Sequence, residues 1–150
     1  MEVVKKIVII ALMSIGLFAN GIIIKDSCVS VDKTISNLKN IVTKKGLSVF
    51  VVIDHKANAK TVNMKLANTK EIIFGNPLMG TALMQKDITI GLDLPLRVLV
   101  YKKSDGTVKI AYRDGSWLAS HHKLNAPKKI AKVNKGMDMF TTKAGQCKKD

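Results

Sequence analysis

The sequence has 150 residues, a formal net charge of +14 and two cysteines. This length excludes more than one domain of ordinary size, while a hydrophobic content of 47% is enough for a real core. Because only 5% of the residues are aromatic, we expect that core to consist of Val, Ile, Leu and Met side chains.

A charge-free apolar segment lies close to the N-terminus. Lys5 and Lys6 precede the apolar residues 7–18, and Ala19-Asn20-Gly21 has the small-x-small pattern of a signal-peptide cleavage site. The pattern predicts a signal peptide over residues 1–21, with an uncleaved N-terminal anchor as the alternative. Either way the lysines stay in the cytoplasm, so the rest of the chain is predicted to be periplasmic or secreted.

The basic residues are almost all lysines, because Arg97 and Arg113 are the only arginines. In an exported protein this charge predicts contact with an anionic membrane, the cell wall or an acidic protein rather than with nucleic acid. Arginine is the residue suited to bidentate phosphate binding, so the excess of lysine argues against a dedicated phosphate-binding surface. A solvated surface that keeps the domain soluble is the simpler interpretation.

The two cysteines, Cys28 and Cys147, lie near opposite ends of the predicted mature chain. An oxidising compartment allows a disulfide bond between them. Because Cys147 lies in a polar C-terminal segment, free thiols and an intermolecular bond stay open as alternatives.

The hydrophobic pattern predicts short strands and helices in the first half of the chain. A strand at residues 22–24 is followed by a helix that begins after Ser30 as N-cap and ends at Gly46. The β-rich residues 47–54 form the next strand, and residues 55–62 form one or two helical turns.

The second half of the pattern contains three further strands and then helices. The strands are predicted at residues 69–74, 96–101 and 108–112, with a helix near residues 78–85 and Asp105-Gly106 as the turn of a hairpin. Helices follow at residues 116–123 and from Pro127 onward. This order predicts an α+β fold with a mainly antiparallel sheet and helices packed on one face.

Two motifs carry a family resemblance. The first is Phe74-Gly75-Asn76-Pro77 followed by Gly80-Thr81 and Leu83-Met84, and the second is Leu92-Asp93-Leu94-Pro95-Leu96-Arg97 followed by an apolar strand. With Ile53-Asp54-His55 upstream and residues 106–112 downstream, the sequence resembles the family called domain of unknown function 302. The resemblance implies a TATA-binding-protein-like fold, β-α-β4-α, over residues 22–124, and it implies no established enzymatic activity. Residues 125–150 lie outside it as a basic helical or flexible tail.

The two motifs contain the predicted ligand-binding residues. Gly75-Asn76-Pro77 and Gly80-Thr81 surround a predicted helix start, where free backbone N–H groups can bind an anion, or where the residues only enforce a turn. Asp93 and Arg97 either pair with each other or present charges at the rim of a pocket. Tyr112, Arg113 and Trp117 follow the last strand and can line a pocket beside the sheet. The complete prediction is Asn76, Pro77, Gly80, Thr81, Asp93, Arg97 and Tyr112.

The histidines, His55, His121 and His122, have no metal-binding spacing, so neither a metal nor another cofactor is predicted. Met137-x-Met139 is a weak copper pattern, and the methionines fit better as core residues.

Three functions fit these patterns. The first is an exported, non-catalytic accessory domain that binds a small ligand or a protein between the two motifs. The second is an enzyme of unknown class that uses His55 and Asp93 for acid–base chemistry. The third is an envelope-associated interaction protein with a lysine-rich tail. A homodimer formed through an exposed sheet face or edge stays open.

Overall fold

The computed structural model describes residues 21–147. The predicted signal peptide or anchor therefore lies, except for Gly21, outside the described residues. A five-stranded sheet with the order β1-β5-β4-β3-β2 forms the centre, and every neighbouring pair is antiparallel. The strands are β1 (Ile23–Ser27), β2 (Ser48–Asp54), β3 (Thr69–Gly75), β4 (Leu96–Lys102) and β5 (Val108–Tyr112).

Helices occupy the connections between strands and the C-terminal part of the chain. They are α1 (Val31–Lys44), α2 (His55–Thr61), α3 (Pro77–Met84), α4 (Gly115–His121) and α5 (Pro127–Ala144), with one 3₁₀ turn at Ile88–Leu92. None of the helices within residues 21–147 is long and apolar enough to cross a membrane. The predicted α+β fold with a mainly antiparallel sheet is confirmed.

The predicted helix starts follow from local hydrogen bonding. The Ser30 hydroxyl accepts the backbone N–H of Lys33 at 3.2 Å and so caps α1. The carboxylate of Asp54 accepts the N–H of Ala57 at 2.8 Å and caps α2, which starts directly after β2. Each cap satisfies a backbone donor that the first helical turn leaves without a partner.

The main core lies between one face of the sheet and two helices. Alternate residues of β3, β4 and β5 point towards α1 and α5, because successive side chains of a strand face opposite sides. Phe74 of β3 is completely buried and meets Phe140 of α5 edge to face, with ring centroids 6.2 Å apart. The core residues shared by these elements include Leu38, Val42, Ile72, Val98, Val100, Ile110 and Met137.

Residues 125–147 pack against this core and do not form a separate tail. The buried residues of α5 include Ile130, Met137 and Phe140, and its C-terminal end lies against β1. There the backbone N–H of Cys28 donates to the carbonyl of Gly145 at 2.9 Å, and Cys28 and Cys147 form a disulfide bond. A side chain on residue 145 would approach the Asp26 carbonyl to 3.0 Å, so glycine permits this close contact.

A smaller core lies at the end of the sheet where β3 ends and β4 begins. Leu83 of α3, Ile90 of the 3₁₀ turn and Leu118 of α4 are buried together there. Leu94 and Leu96 of the second motif pack against them. This smaller core positions the two motifs next to each other.

The turn between β4 and β5 is organised by the carboxylate of Asp105. It accepts hydrogen bonds from the hydroxyl of Thr107 at 2.6 Å and from the backbone N–H of Thr107 at 2.9 Å. The Nζ of Lys103 lies 3.2 Å from the same carboxylate. These interactions, the Thr107 hydroxyl most strongly, lower the pKa of Asp105 to about 2. The positive φ of 86° at Gly106 completes the predicted turn.

We expect an NMR titration of the wild-type Asp105 carboxyl to show a midpoint of about 2. The folded pKa lies below the unfolded value of about 3.9, so the stabilisation from this group is present above pH 4 and is lost as the pH falls towards 2. In Thr107→Val the midpoint should move upward more than in Lys103→Ala, because the hydroxyl is the stronger influence. A wild-type midpoint at the ordinary aspartate value would contradict this account.

Candidate functional site

The predicted ligand-binding residues divide between two concave sites. Asn76, Pro77, Gly80 and Thr81 line a groove between α3 and α5, whereas Asp93, Arg97 and Tyr112 line a cleft on the other face of the sheet. Leu96 is the residue that lines both sites. The two motifs do meet, but their polar residues do not converge on one cleft.

The groove has a volume of about 500 Å³ and mostly apolar walls. Pro77 and Met79 lie on one side, the second motif contributes Leu94 and Pro95 at its end, and α5 forms the opposite side. Its lining also includes the buried side chains of Leu83, Met137 and Phe140. Lys45, Lys132 and Lys135 are the charged residues of this lining, and no described residue of the lining is acidic.

Asn76 acts in the structure as the N-cap of α3. Its side-chain oxygen accepts the backbone N–H of Met79 at 3.1 Å, and Pro77 occupies the first turn, where a missing N–H has no cost. The amide oxygen of Asn76 therefore serves the helix start. Gly80 borders the groove in the middle of α3, and a Cβ added there would meet no atom within 4 Å.

The cleft lies on the sheet face that α1 and α5 leave uncovered, and its volume is about 390 Å³. Glu71, Leu99 and Ala111 lie on this face, alternating with the core residues of their strands. Arg97, Arg113 and Trp117 also line the cleft. The guanidinium carbon of Arg113 lies 4.2 Å from the centre of the Trp117 ring. Tyr112 contributes to the wall but is itself almost completely buried.

The prediction that Asp93 pairs with Arg97 is wrong. The carboxylate of Asp93 instead accepts a hydrogen bond from Nε2 of His122 at 2.7 Å, and His122 is largely buried. Nδ1 of His122 lies 3.2 Å from the Thr89 hydroxyl, which donates to Asp87 at 2.6 Å. Hydrogen bonds from the hydroxyl and then the backbone N–H of Thr89 keep the pKa of Asp87 below its ordinary value. The network joins the 3₁₀ turn to the end of α4.

His55 and Asp93 are not neighbours, so the predicted acid–base pair does not form. His55 follows the end of β2 that pairs with Lys70. Asp93 precedes the start of β4, which lies at the opposite end of the sheet. His121 stacks on Trp117, with ring centroids 4.1 Å apart. Within residues 21–147 no group of three or more His, Cys, Asp or Glu residues could hold a metal ion.

Sequence reasoning missed the contribution of α5 to the groove. The residues concerned belong to the segment that the family resemblance leaves outside the domain as a tail, and they include Lys132, Val133, Met137 and Phe140. The signal was available, because Ile130, Val133 and Met137 repeat at helical spacing and imply a buried face. Sequence reasoning also missed that Arg97 and Arg113 lie beside each other on neighbouring strands, because this depends on the register between β4 and β5.

The fold resembles a solved structure closely in architecture. The crystal structure of an uncharacterized conserved protein DUF302 from Bacillus stearothermophilus matches with a TM-score of 0.67, and the match covers 85% of this chain and 97% of that one. The sequence identity is 16%, so this likeness shows the fold alone. Both structures define an α+β domain of the same class.

The family follows from the sequence match. The family model described as Domain of unknown function DUF302 matches residues 23–142. The chain therefore belongs to the DUF302 family, and the matched region includes most of α5.

Curated relatives at 40% identity carry a different kind of name. Over 112 residues the chain matches the fluoride-specific ion channel FluC 1 of Brucella suis biovar 1 (strain 1330) and FluC 1 of Brucella abortus biovar 1 (strain 9-941). The match covers 75% of this chain but only 44% and 42% of those proteins. The chain thus spans less than half the length of the curated relatives that it matches.

Proposed function

We propose that this protein is an exported, non-catalytic binding domain that holds an amphipathic anion in the groove between α3 and α5. The observation that carries the proposal is the composition of the groove, which combines apolar walls with lysines as the only charged residues of its described lining. The ligand class is an apolar chain with one acidic end, such as an alkyl carboxylate.

The walls of the groove favour a flexible apolar chain. Burying apolar surface contributes about 25 cal/mol per Å², and the volume of about 500 Å³ falls in the range of small-molecule sites. Met79, Met84 and Met139 line it. Methionine side chains adapt to irregular shapes, so such walls accept chains of varying form.

The lysines favour an acidic end group at the edge of the groove. Lys45, Lys132 and Lys135 belong to the lining and their residues are exposed to solvent. No described lining residue offsets their charge, so the local potential attracts anions and disfavours cations.

Two observations support export. Disulfide bonds persist mainly in oxidising compartments, and Cys28 is bonded to Cys147. Residues 7–18 have the composition of a signal-peptide core. N-terminal sequencing of the protein from a periplasmic or secreted fraction should give Ile22 as the first residue, and recovery only from the cytoplasm would contradict export.

The binding test compares three ligands of equal chain length by calorimetry. Decanoate should bind more tightly than 1-decanol, and 1-decanol more tightly than decylammonium, because only the end group changes. Lys132→Glu with Lys135→Glu should weaken decanoate binding roughly five- to tenfold, as expected for partly screened charges. Gly80→Leu should reduce binding of all three by filling the groove.

A matched control keeps the net charge change but moves it away from the groove. Lys33→Glu with Lys39→Glu alters exposed positions of α1 that do not line the groove and should leave decanoate binding unchanged. Equal binding of decanoate and decylammonium, or no effect of the α5 substitutions, would refute the anionic ligand.

A second candidate function follows from the curated relatives. We propose that the domain acts as an accessory unit for a membrane channel, since proteins named fluoride-specific ion channels contain a region 40% identical to it. Removing the protein from its host should then lower growth in elevated fluoride and leave growth in chloride unchanged. Unaltered fluoride tolerance would contradict this candidate. Contact of the α5 lysines with an anionic membrane or cell wall stays a prediction.

A further inference from the structure

The only two arginines of the sequence meet on the uncovered sheet face. Val98 of β4 and Tyr112 of β5 are register partners, Arg97 precedes the first and Arg113 follows the second. The two arginines therefore lie beside each other, on the face opposite to the buried side chains of Val98 and Tyr112. Both line the cleft of about 390 Å³.

Neither arginine has an ion-pair partner among the described residues. No carboxylate oxygen of residues 21–147 lies within 4.0 Å of either guanidinium group, although Asp26, Asp32, Asp105 and Asp138 each pair with a lysine. Like charges that face each other across neighbouring strands are destabilising.

The surroundings orient one of the two guanidinium groups. Arg113 lies over the ring of Trp117, and Trp117 stacks on His121. Nδ1 of His121 lies 2.9 Å from the Trp117 carbonyl oxygen, so the stacked rings of Trp117 and His121 are held together within α4. A guanidinium group stacked in this way presents its N–H edge to a ligand.

The acidic residues of the cleft limit the ligand. Asp93 is engaged by His122, while Glu71 lies one strand away from Arg97 and has no ion pair within 4.0 Å in the described residues. Glu71 repels further negative charge, which disfavours a polyanion. The free space beside Leu99 and Ala111 is apolar.

We infer that Arg97 and Arg113 form a second ligand site, which binds the single oxyanionic group, carboxylate or phosphate, of a small organic molecule. The planar forks of two guanidinium groups suit a bidentate oxyanion. This site is independent of the groove, because the two share only Leu96, so failure of either proposal leaves the other standing.

The test uses Trp117, the only tryptophan of the chain, as an intrinsic fluorescent probe of the full protein. Benzoate and inorganic phosphate are titrated at constant ionic strength, with chloride and fluoride as charge-only controls. We expect a saturable change with benzoate or phosphate, and the more effective of the two identifies the oxyanion. Saturation should also shift the Arg Nε–H signals of the wild-type protein in NMR spectra.

Arg97→Lys with Arg113→Lys keeps both charges and removes the forks, so the apparent affinity should fall about tenfold, the loss of roughly one charge-assisted hydrogen bond. Lys102→Ala, on the same strand but outside the cleft, should have no effect. The inference would be overturned if chloride gave the same response as benzoate and phosphate, or if only fluoride gave a response. It would also be overturned by unshifted Arg Nε–H signals, or by full binding in the folded lysine variant.

Discussion

Replacing Cys28 and Cys147 together with alanine is expected to lower the free energy of unfolding by about 5 kcal/mol. The bond joins residues 119 positions apart, and a cross-link over such a distance removes much of the entropy of the unfolded chain. It also fastens the end of α5 to β1, beside the hydrogen bond from Cys28 to Gly145. Urea denaturation of both proteins under oxidising conditions measures the difference.

The control is the wild-type protein in a reducing agent, which should unfold at the same urea concentration as the double alanine variant. Since the variant has no thiols, reduction should not change its midpoint. Equal stabilities of oxidised wild type and variant would show that the bond contributes nothing.

Phe74→Ala is expected to lower the free energy of unfolding by about 3–5 kcal/mol, because truncation of a large core side chain loses transfer energy and leaves a cavity. Phe74 is 0% exposed and packs edge to face against Phe140 of α5. The same experiment therefore measures whether α5 belongs to the cooperative unit. Phe74→Ala and Phe140→Ala, combined in a double-mutant cycle, should show a coupling energy of about 0.5–1.5 kcal/mol.

Leu78→Ala is the matched surface control. Leu78 is 81% exposed on α3, and its truncation should change stability by no more than about 0.5 kcal/mol. Strict additivity of the two phenylalanine substitutions would mean that α5 packs independently of the sheet.

Element types could be predicted from the sequence because their signals are local. Ser30 and Gly46 mark the ends of α1, Asp105-Gly106 marks the hairpin turn, and alternating or continuous apolar runs mark the strands. The helix after Pro127 was also predicted, but its place in the fold was not. The apolar face of this helix does not specify which surface of the domain it covers, because most of the residues that it packs against are distant from it in the sequence.

The candidate sites depended on long-range geometry. Asp93 and Arg97 are close in sequence and of opposite charge, yet Asp93 pairs with His122, which is 29 residues away. The alternation of side chains at the start of β4 turns Leu96 towards the helix side and Arg97 towards the uncovered face. The motifs therefore indicated the right segments but could not assign their side chains to a site.

By itself the sequence determined the family, the α+β fold, the order of the elements and the two motifs, since these depend on composition and spacing along the chain. The tertiary structure decided that α5 forms one side of the groove, that Cys28 and Cys147 form a disulfide bond, and that Arg97 and Arg113 lie beside each other on neighbouring strands. Each of these depends on strand register and helix packing. Contacts between residues far apart in sequence result from the burial of the whole core, and no local pattern encodes them.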